Sequence, residues 1–328
     1  MLRILTLNLQ HGQPGAGAGD GSASAGSLAR ADIRDPHTAR AVLAALAEQL
    51  AELAPDIVAL QEVDLHQPRS GRLDQVAVLA EFLGWEHHRF AATYAGPIAG
   101  LRRRPLRSAL ESPADDILGP ARALTGAKPA GFGNALLSRH RVGAWRIQRL
   151  GRGPATVVRR GDNPLDPRSY RLFTATARNL LVAAIEPGAV PGVGAMTVGA
   201  AHLATRREIA SAQLAAAWSA LTTLPGPHVL AGDLNLRAEH LAALGVARPV
   251  GEGPTYPASG PVHRIDHVLT DPWPTDANGL PLATAQAAGA PAWVGPERPL
   301  LRAVGGGARS LVVSDHACTW VDLEPVAG

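Results

Sequence analysis

The stretch His228-Val229-Leu230-Ala231-Gly232-Asp233-Leu234-Asn235 runs apolar and then turns to a carboxylate and an amide. A short apolar run closed by glycine reads as a buried strand, which leaves its polar end at the rim of a sheet. The same ending recurs outward from there. Leu2–Leu7 runs into Asn8, and Ile57–Leu60 runs into Gln61-Glu62-Val63-Asp64. Ala195–Ala201 ends at His202, Ile265 is followed by Asp266-His267, and Leu311–Val313 by Ser314-Asp315-His316. Rigid sheets present catalytic groups at such strand ends. Taken singly, Asn8 fits a turn, and Asp233 or Asp315 fits a cap. Six such endings in one chain are more than caps alone account for.

Further strands are expected at Asp56–Gln61, Ala135–Ser138, Leu180–Ile185, His228–Leu230, Ile265–Leu269 and Ser310–Ser314. Apolar residues at three- and four-residue spacing predict helices over His37–Leu53, Leu73–Leu83 (closed by Gly84) and Arg207–Leu221. Strands and helices mix without a boundary, so residues 1–328 read as one α/β domain. Gly-, Pro- and Arg-rich loop insertions are expected at about 12–27, 95–130, 151–170 and 271–309.

Of 328 residues, 46% are hydrophobic and 18% charged, which excludes a disordered chain. Cys318 is the single cysteine, which excludes a disulfide scaffold and a cysteine zinc site. No apolar run is long enough for a transmembrane helix. The start, MLRILTLNLQHG, has no signal-peptide pattern, so a cytoplasmic location is expected. Net charge is +3, but it is unevenly spread: residues 101–180 hold 15 Arg and one Lys against five acids. A basic block in an otherwise acidic chain suits a polyanionic partner, or simply a set of solvated loop arginines.

Glu62, Asp233, Asp266 and Asp315 supply oxygen donors, which suit hard Mg²⁺, Mn²⁺ or Ca²⁺ rather than zinc. His202 and His316 can move protons or carry charge, and Asn8 and Asn235 add neutral donors. No metalloprotease, serine-hydrolase or P-loop motif is present. This set fits attack by water on a phosphate ester.

Seven motifs in order resemble the endonuclease/exonuclease/phosphatase superfamily, the group of deoxyribonuclease I. They are Thr6-Leu7-Asn8-Leu9, Leu60-Gln61-Glu62-Val63-Asp64, Gly133-Asn134-Ala135-Leu136-Leu137-Ser138-Arg139, His202-Leu203, Gly232-Asp233-Leu234-Asn235, Arg264-Ile265-Asp266-His267 and Ser314-Asp315-His316. The resemblance runs from residue 4 to about 320. It implies a four-layer α/β sandwich, with two mainly antiparallel β-sheets face to face and helices outside. It also implies a divalent-metal-dependent hydrolase of phosphate esters using Mg²⁺ or Mn²⁺.

Site roles follow from the same motifs. Glu62 resembles the principal metal ligand, with Asn8 and Asp315 close to the same ion. His316, paired with Asp266, resembles the essential histidine, either general base or phosphate-orienting cation. Asp233 resembles the carboxylate that positions or deprotonates the nucleophile, and Asn235 a donor to a phosphate oxygen. His202 resembles the group that stabilises the pentacovalent phosphate or assists the leaving oxygen. Gln10 stands where abasic-site endonucleases carry an acidic ligand, which argues against a repair-type metal shell. Arg178, Arg206 and Gln213 match family-like positions and are read as fold-stabilising.

Asn134 reads either as a strand residue or as a substrate contact. Arg102, Arg103 and Arg104 are candidate phosphate contacts on a loop. His87-His88 is expected on a solvated surface, and Trp145, Trp218 and Trp320 at the core or its boundary. The substrate is DNA or RNA on one reading, and a phospholipid or inositol phosphate on another. A non-catalytic binding protein on the same fold is the third reading; it predicts erosion at Glu62, Asp233 or His316, and none is eroded.

Overall fold

The computed structural model describes residues 1–15, 28, 30–98, 105, 117, 128–159, 161–173, 177–188, 190–273 and 300–326. Arg102, Arg103 and Arg104 lie outside the described residues, as do most of loops 12–27 and 95–130.

One six-stranded sheet contains β1 (Leu2–Asn8), β2 (Ile57–Leu65), β3 (His87–Ala95), β4 (Gly131–Ser138), β13 (Leu301–Arg309) and β14 (Cys318–Pro325). Their order across it is β13-β14-β1-β2-β4-β3. A second contains β5 (Val142–Gly151), β8 (Arg178–Ile185), β9 (Met196–His202), β10 (His228–Asp233), β11 (Arg248–Val250) and β12 (Asp266–Thr270). Here the order is β11-β12-β10-β9-β8-β5. A small hairpin joins β6 (Thr156–Arg159) to β7 (Tyr170–Phe173). Each large sheet has one parallel pair, β1 with β2 and β9 with β10, and is otherwise antiparallel. A parallel pair needs a crossover. Helix α1 (Pro36–Leu53) supplies the first and α3 (Arg207–Leu221) the second; α2 (Gln75–Leu83) and α4 (Ala238–Leu244) complete the outer layers among the described residues.

The period of two along a strand divides the core into three layers. Leu2 and Ile4 of β1 join Val229 and Ala231 of β10 and Val198 of β9 between the sheets. Leu5 and Leu7 instead meet Leu43, Leu46 and Leu50 of α1, while Leu230 meets Leu214 and Trp218 of α3. This is the four-layer sandwich expected from the resemblance. Helices α1 and α2 start at local caps: Asp35 Oδ2 accepts from Thr38 N at 2.8 Å, and Asp74 Oδ1 from Ala77 N at 3.0 Å. Gly84 closes α2 at φ 68°, as its position predicts.

Several expectations need correction. Ser310–Ser314 is not a strand: Ser314 has φ 80°, and Val313 makes only an isolated bridge to Pro14. Leu311, Val312 and Val313 are nonetheless buried against the α1 layer, and Val312 N donates to Gln49 Oε1 at 2.7 Å. The apolar run is therefore a buried loop. The expected loop 151–170 contains β6 and the start of β7, and the end of 271–309 is strand β13. Three successive glycines, Gly305–Gly307, hid β13; a Cβ at Gly307 would stand 2.6 Å from the Trp320 ring. His87 and His88 open β3 half-buried, and His88 Nδ1 is shut off from solvent.

His267 points away from the space between the sheets and is fully buried, with Nε2 2.8 Å from Leu236 O. A carbonyl only accepts, so Nε2 carries a proton, and Nδ1 is buried without a partner among the described residues. Burial, helped by the charge of Arg264, lowers its pKa to about 4. The unfolded chain protonates His267 near 6.5, so the unfolded state binds the extra proton first. Stability should fall as pH drops from 6.5 toward 4, by about 3 kcal/mol from this residue. Urea unfolding at about pH 7 and about pH 4.5 should show that loss in the native chain and a smaller one in His267→Gln; equal losses would contradict it.

Candidate active site

The alternation that fills the middle layer also fills the site. Leu2 and Ile4 face the opposite sheet, so Thr6 and Asn8 do too; Val229 and Ala231 are continued by Asp233, Val198 and Ala200 by His202, and Val268 by Asp266. Apolar side chains occupy the body of the inter-sheet space and polar ones its end. Asn8 Nδ2 donates to Asp233 Oδ2 across the sheets at 3.0 Å, and His202 Nε2 lies 3.4 Å from the same oxygen.

Glu62 reaches this end through a bulge. Leu60 pairs with Ala135 and Val63 with Gly133, so Gln61 and Glu62 together face one residue of β4. Glu62 takes φ 53° there, which re-aims its side chain. Gly232 permits the close pairing of β9 and β10, since a Cβ would stand 1.8 Å from Ala201 O.

His316 arrives from the loop after Ser314, whose Oγ accepts from His316 N at 3.0 Å. His316 Nδ1 donates to Asp266 Oδ2 at 2.9 Å. Ligand atoms of Asp233, Asp266 and His316 all lie within 4.8 Å of one another. Asp315 Oδ1 is 3.9 Å from His316 Nε2, and its side chain is half exposed. Gln10 anchors the neighbouring loop, because its Oε1 accepts from Asp315 N at 3.1 Å and so holds the backbone that carries this carboxylate. Asn235, at φ 51°, donates its backbone N–H to Asp233 Oδ1 at 3.1 Å and its side-chain amide to Leu203 O at 3.0 Å.

The charges are strongly coupled. Burial works against a cationic His316, but the hydrogen bond and charge of Asp266, with Asp233 and Asp315, outweigh it and raise its pKa to about 9. Burial and the charge of Asp266 raise Asp233, against the pull of His316, Asn8 and Arg178. His202 goes the other way: burial, then Arg178 and His316, hold it well below its ordinary value. The site thus joins a cationic and a neutral imidazole around one high-pKa carboxylate.

Other sequence candidates separate from this cluster. Asn134 is buried and its Nδ2 donates to Asn179 Oδ1 at 2.8 Å, while Asn179 Nδ2 donates to Ala91 O and Ala92 O. Asn134 is therefore part of an amide bridge between the sheets. Gln213 Oε1 accepts from Ala204 N at 2.9 Å, a structural role as expected. Arg178 differs from its fold-stabilising reading. Its charge bears on Asp233 and Glu62, and its Nε is buried without a partner among the described residues.

Two residues escaped the sequence reading. Thr255 Oγ1 accepts from Ile265 N and Asp266 N, both at 3.3 Å, while its carbonyl accepts from Ala317 N at 2.7 Å. Both halves of the Asp266–His316 pair thus hang on Thr255. The next residue, Tyr256, sets its ring 4.9 Å from the His316 ring. The only signal was an aromatic in a Gly/Pro-rich turn, which by itself points to nothing.

Solved structures of similar architecture come from several bacteria. An endonuclease/exonuclease/phosphatase from Beutenbergia cavernae is 21% identical with TM-score 0.55, over 100% of this chain and 72% of that one. One from Bacteroides vulgatus is 14% identical with TM-score 0.55, over 99% of each chain. A mannosyl-6-phosphatase from Bacteroides thetaiotaomicron is 14% identical with TM-score 0.52, over 99% of this chain and 100% of that one. No curated protein sequence matches the chain. At these identities the structures speak for the fold alone. The family model is more specific: it matches residues 5–316, a span that holds each strand-end carboxylate and histidine gathered here, and the chain belongs to the Endonuclease/Exonuclease/phosphatase family.

Proposed function

We propose that this protein is a divalent-metal-dependent phosphoesterase that hydrolyses phosphate esters by attack of water on phosphorus. The observation that carries the reading is the buried cluster of Asp233, Asp266 and His316, with Asn8 and His202 both on Asp233. Besides the local Asn235 N–H, Asp233 takes side-chain contacts from two other strands, Asn8 of β1 and His202 of β9. The endonuclease/exonuclease/phosphatase family supplies the reaction class.

The donor set fits a hard cation. All the acidic candidates offer oxygen, and Asp266 Oδ1 is buried with no partner among the described residues, an arrangement that costs about 1–3 kcal/mol unless something pairs with it. Asn8, Glu62 and Asp315 would hold Mg²⁺ or Mn²⁺ at the mouth of the cluster. The cation would supply charge neutralisation on phosphate oxygens. Asp233 orients the attacking water and takes its proton, His316 holds a phosphate oxygen, and His202 faces the leaving oxygen. Asn235 keeps one amide proton free for the phosphate.

The substrate follows less directly. A phosphodiester such as DNA or RNA fits the basic block; the fold relative named as a mannosyl-6-phosphatase favours a soluble monoester. Among the described residues no helix is long and apolar enough to cross a membrane. A cytoplasmic location is proposed with the same reading. Bis-p-nitrophenyl phosphate, p-nitrophenyl phosphate, plasmid DNA, RNA and sphingomyelin, each with Mg²⁺ or Mn²⁺, separate these classes. Hydrolysis of at least one phosphate ester, lost in Asp233→Asn, is expected. No turnover of any of them would sink the proposal.

A further inference from the structure

Arg149 and Arg178 line a cleft of about 250 Å³ with Thr93, Asn179 and Gly151. Ligand sites for whole small molecules run to roughly 300–1,000 Å³, so this cleft is sized for one substituent. Its position ties it to the reaction. Arg178 opens β8, and the pair Leu180–Ala201 between β8 and β9 sets that end of the strand beside His202. Asn179 on the cleft wall is hydrogen-bonded to Asn134 in the amide bridge beside Glu62 on the bulge.

The cleft is polar in one sense only. Two guanidiniums face it, and no acidic side chain lines it among the described residues. One nitrogen of Arg149 donates to Pro105 O, which fixes the side chain without neutralising it. Arg178 Nε is buried and unpartnered among the described residues. That nitrogen is sealed from solvent, so a phosphate in the cleft would be met by the terminal nitrogens of the two guanidiniums. A planar fork presenting several N–H groups suits phosphate oxygens in particular. Both arginines come from the basic block at 101–180, which gives that charge a location.

We propose that this cleft is a binding site for a second phosphate on the substrate, next to the one hydrolysed. The inference rests on the phosphoesterase reading and narrows it to esters that carry a neighbouring phosphate. Arg178 stands between the two phosphates, while Arg149 touches only the second. Arg149 is therefore a specificity residue with no part in the chemistry.

The test compares matched substrates with and without that group. One arm uses the p-nitrophenyl ester of thymidine 5′-phosphate, with or without a 3′-phosphate; the other uses inositol 4-phosphate and inositol 4,5-bisphosphate. The extra phosphate should lower KM at least tenfold in one arm, which identifies the nucleotide or inositol source. Arg149→Gln should abolish that gain and Arg149→Lys should keep part of it. Turnover of bis-p-nitrophenyl phosphate should stay unchanged in both. Equilibrium binding of thymidine 5′-phosphate and thymidine 3′,5′-bisphosphate in EDTA, and of the same two inositol phosphates, reads the cleft without catalysis. The bisphosphate of one pair should bind at least tenfold tighter, and Arg149→Gln should bind both members alike. Failure of all hydrolysis with this binding difference intact overturns the phosphoesterase reading but not the cleft. No difference in either binding pair, or one that Arg149→Gln leaves intact, overturns the cleft.

Discussion

Replacing His316 by alanine should lower kcat on bis-p-nitrophenyl phosphate by about 10²-fold or more, the scale of a lost proton-transfer or charge-stabilising group. The expectation comes from how tightly this imidazole is held. Asp266 receives its Nδ1–H at 2.9 Å, the Ser314 hydroxyl fixes its backbone, and the Tyr256 ring covers it at 4.9 Å. Only Nε2 faces outward, toward Asp315. Asp266→Asn keeps the shape but removes the charge that sustains the imidazolium. In EDTA, the His316 pKa should fall from about 9 toward its ordinary 6.5 in that variant, followed by NMR of the ring protons. The variant should also lose kcat with its circular dichroism unchanged. Near-native turnover by His316→Ala would remove this residue from the chemistry.

Much of this site was legible because strand periodicity and strand ends leave marks in sequence. Asn8, His202 and Asp233 each close an apolar strand and Asp266 opens one, and the same alternation that sorts Leu2 from Leu5 aims them between the sheets. Residues placed by other means were harder to read. Glu62 depends on a bulge, which shows only when Leu60 and Val63 are paired with β4. Arg178 looked like a framework residue because nothing local says that a guanidinium at the start of β8 turns toward Asp233. Thr255 acts through two backbone amides and a carbonyl, contacts available to any threonine in a turn. Ser310–Ser314 misled in the opposite direction, because burial alone made it apolar. Where the backbone is regular, pattern carries position; where it is bent, the partner strand or loop decides.

Removing divalent metal should have the largest effect of all. EDTA should abolish hydrolysis, with a loss of about 10³-fold or more, since a cation on phosphate oxygens supplies several kcal/mol to the transition state. Mg²⁺ or Mn²⁺ should restore it. The protein offers these ions oxygen, while its one thiol is withdrawn: Cys318 is buried, and burial pushes its pKa up to about 12. Glu62→Gln keeps the volume of the side chain at the bulge and removes one charge. It should raise the metal concentration for half-maximal rate by roughly tenfold, and saturating metal should recover much of the rate, as expected of a weakened ligand. Asp266→Asn should respond differently. Its defect lies in the partner of His316, so no concentration of metal should rescue it. Full activity in EDTA would eliminate the cation altogether. Rescue of both variants by metal would instead place Asp266 among the ligands, where its unpartnered Oδ1 already stands within the cluster.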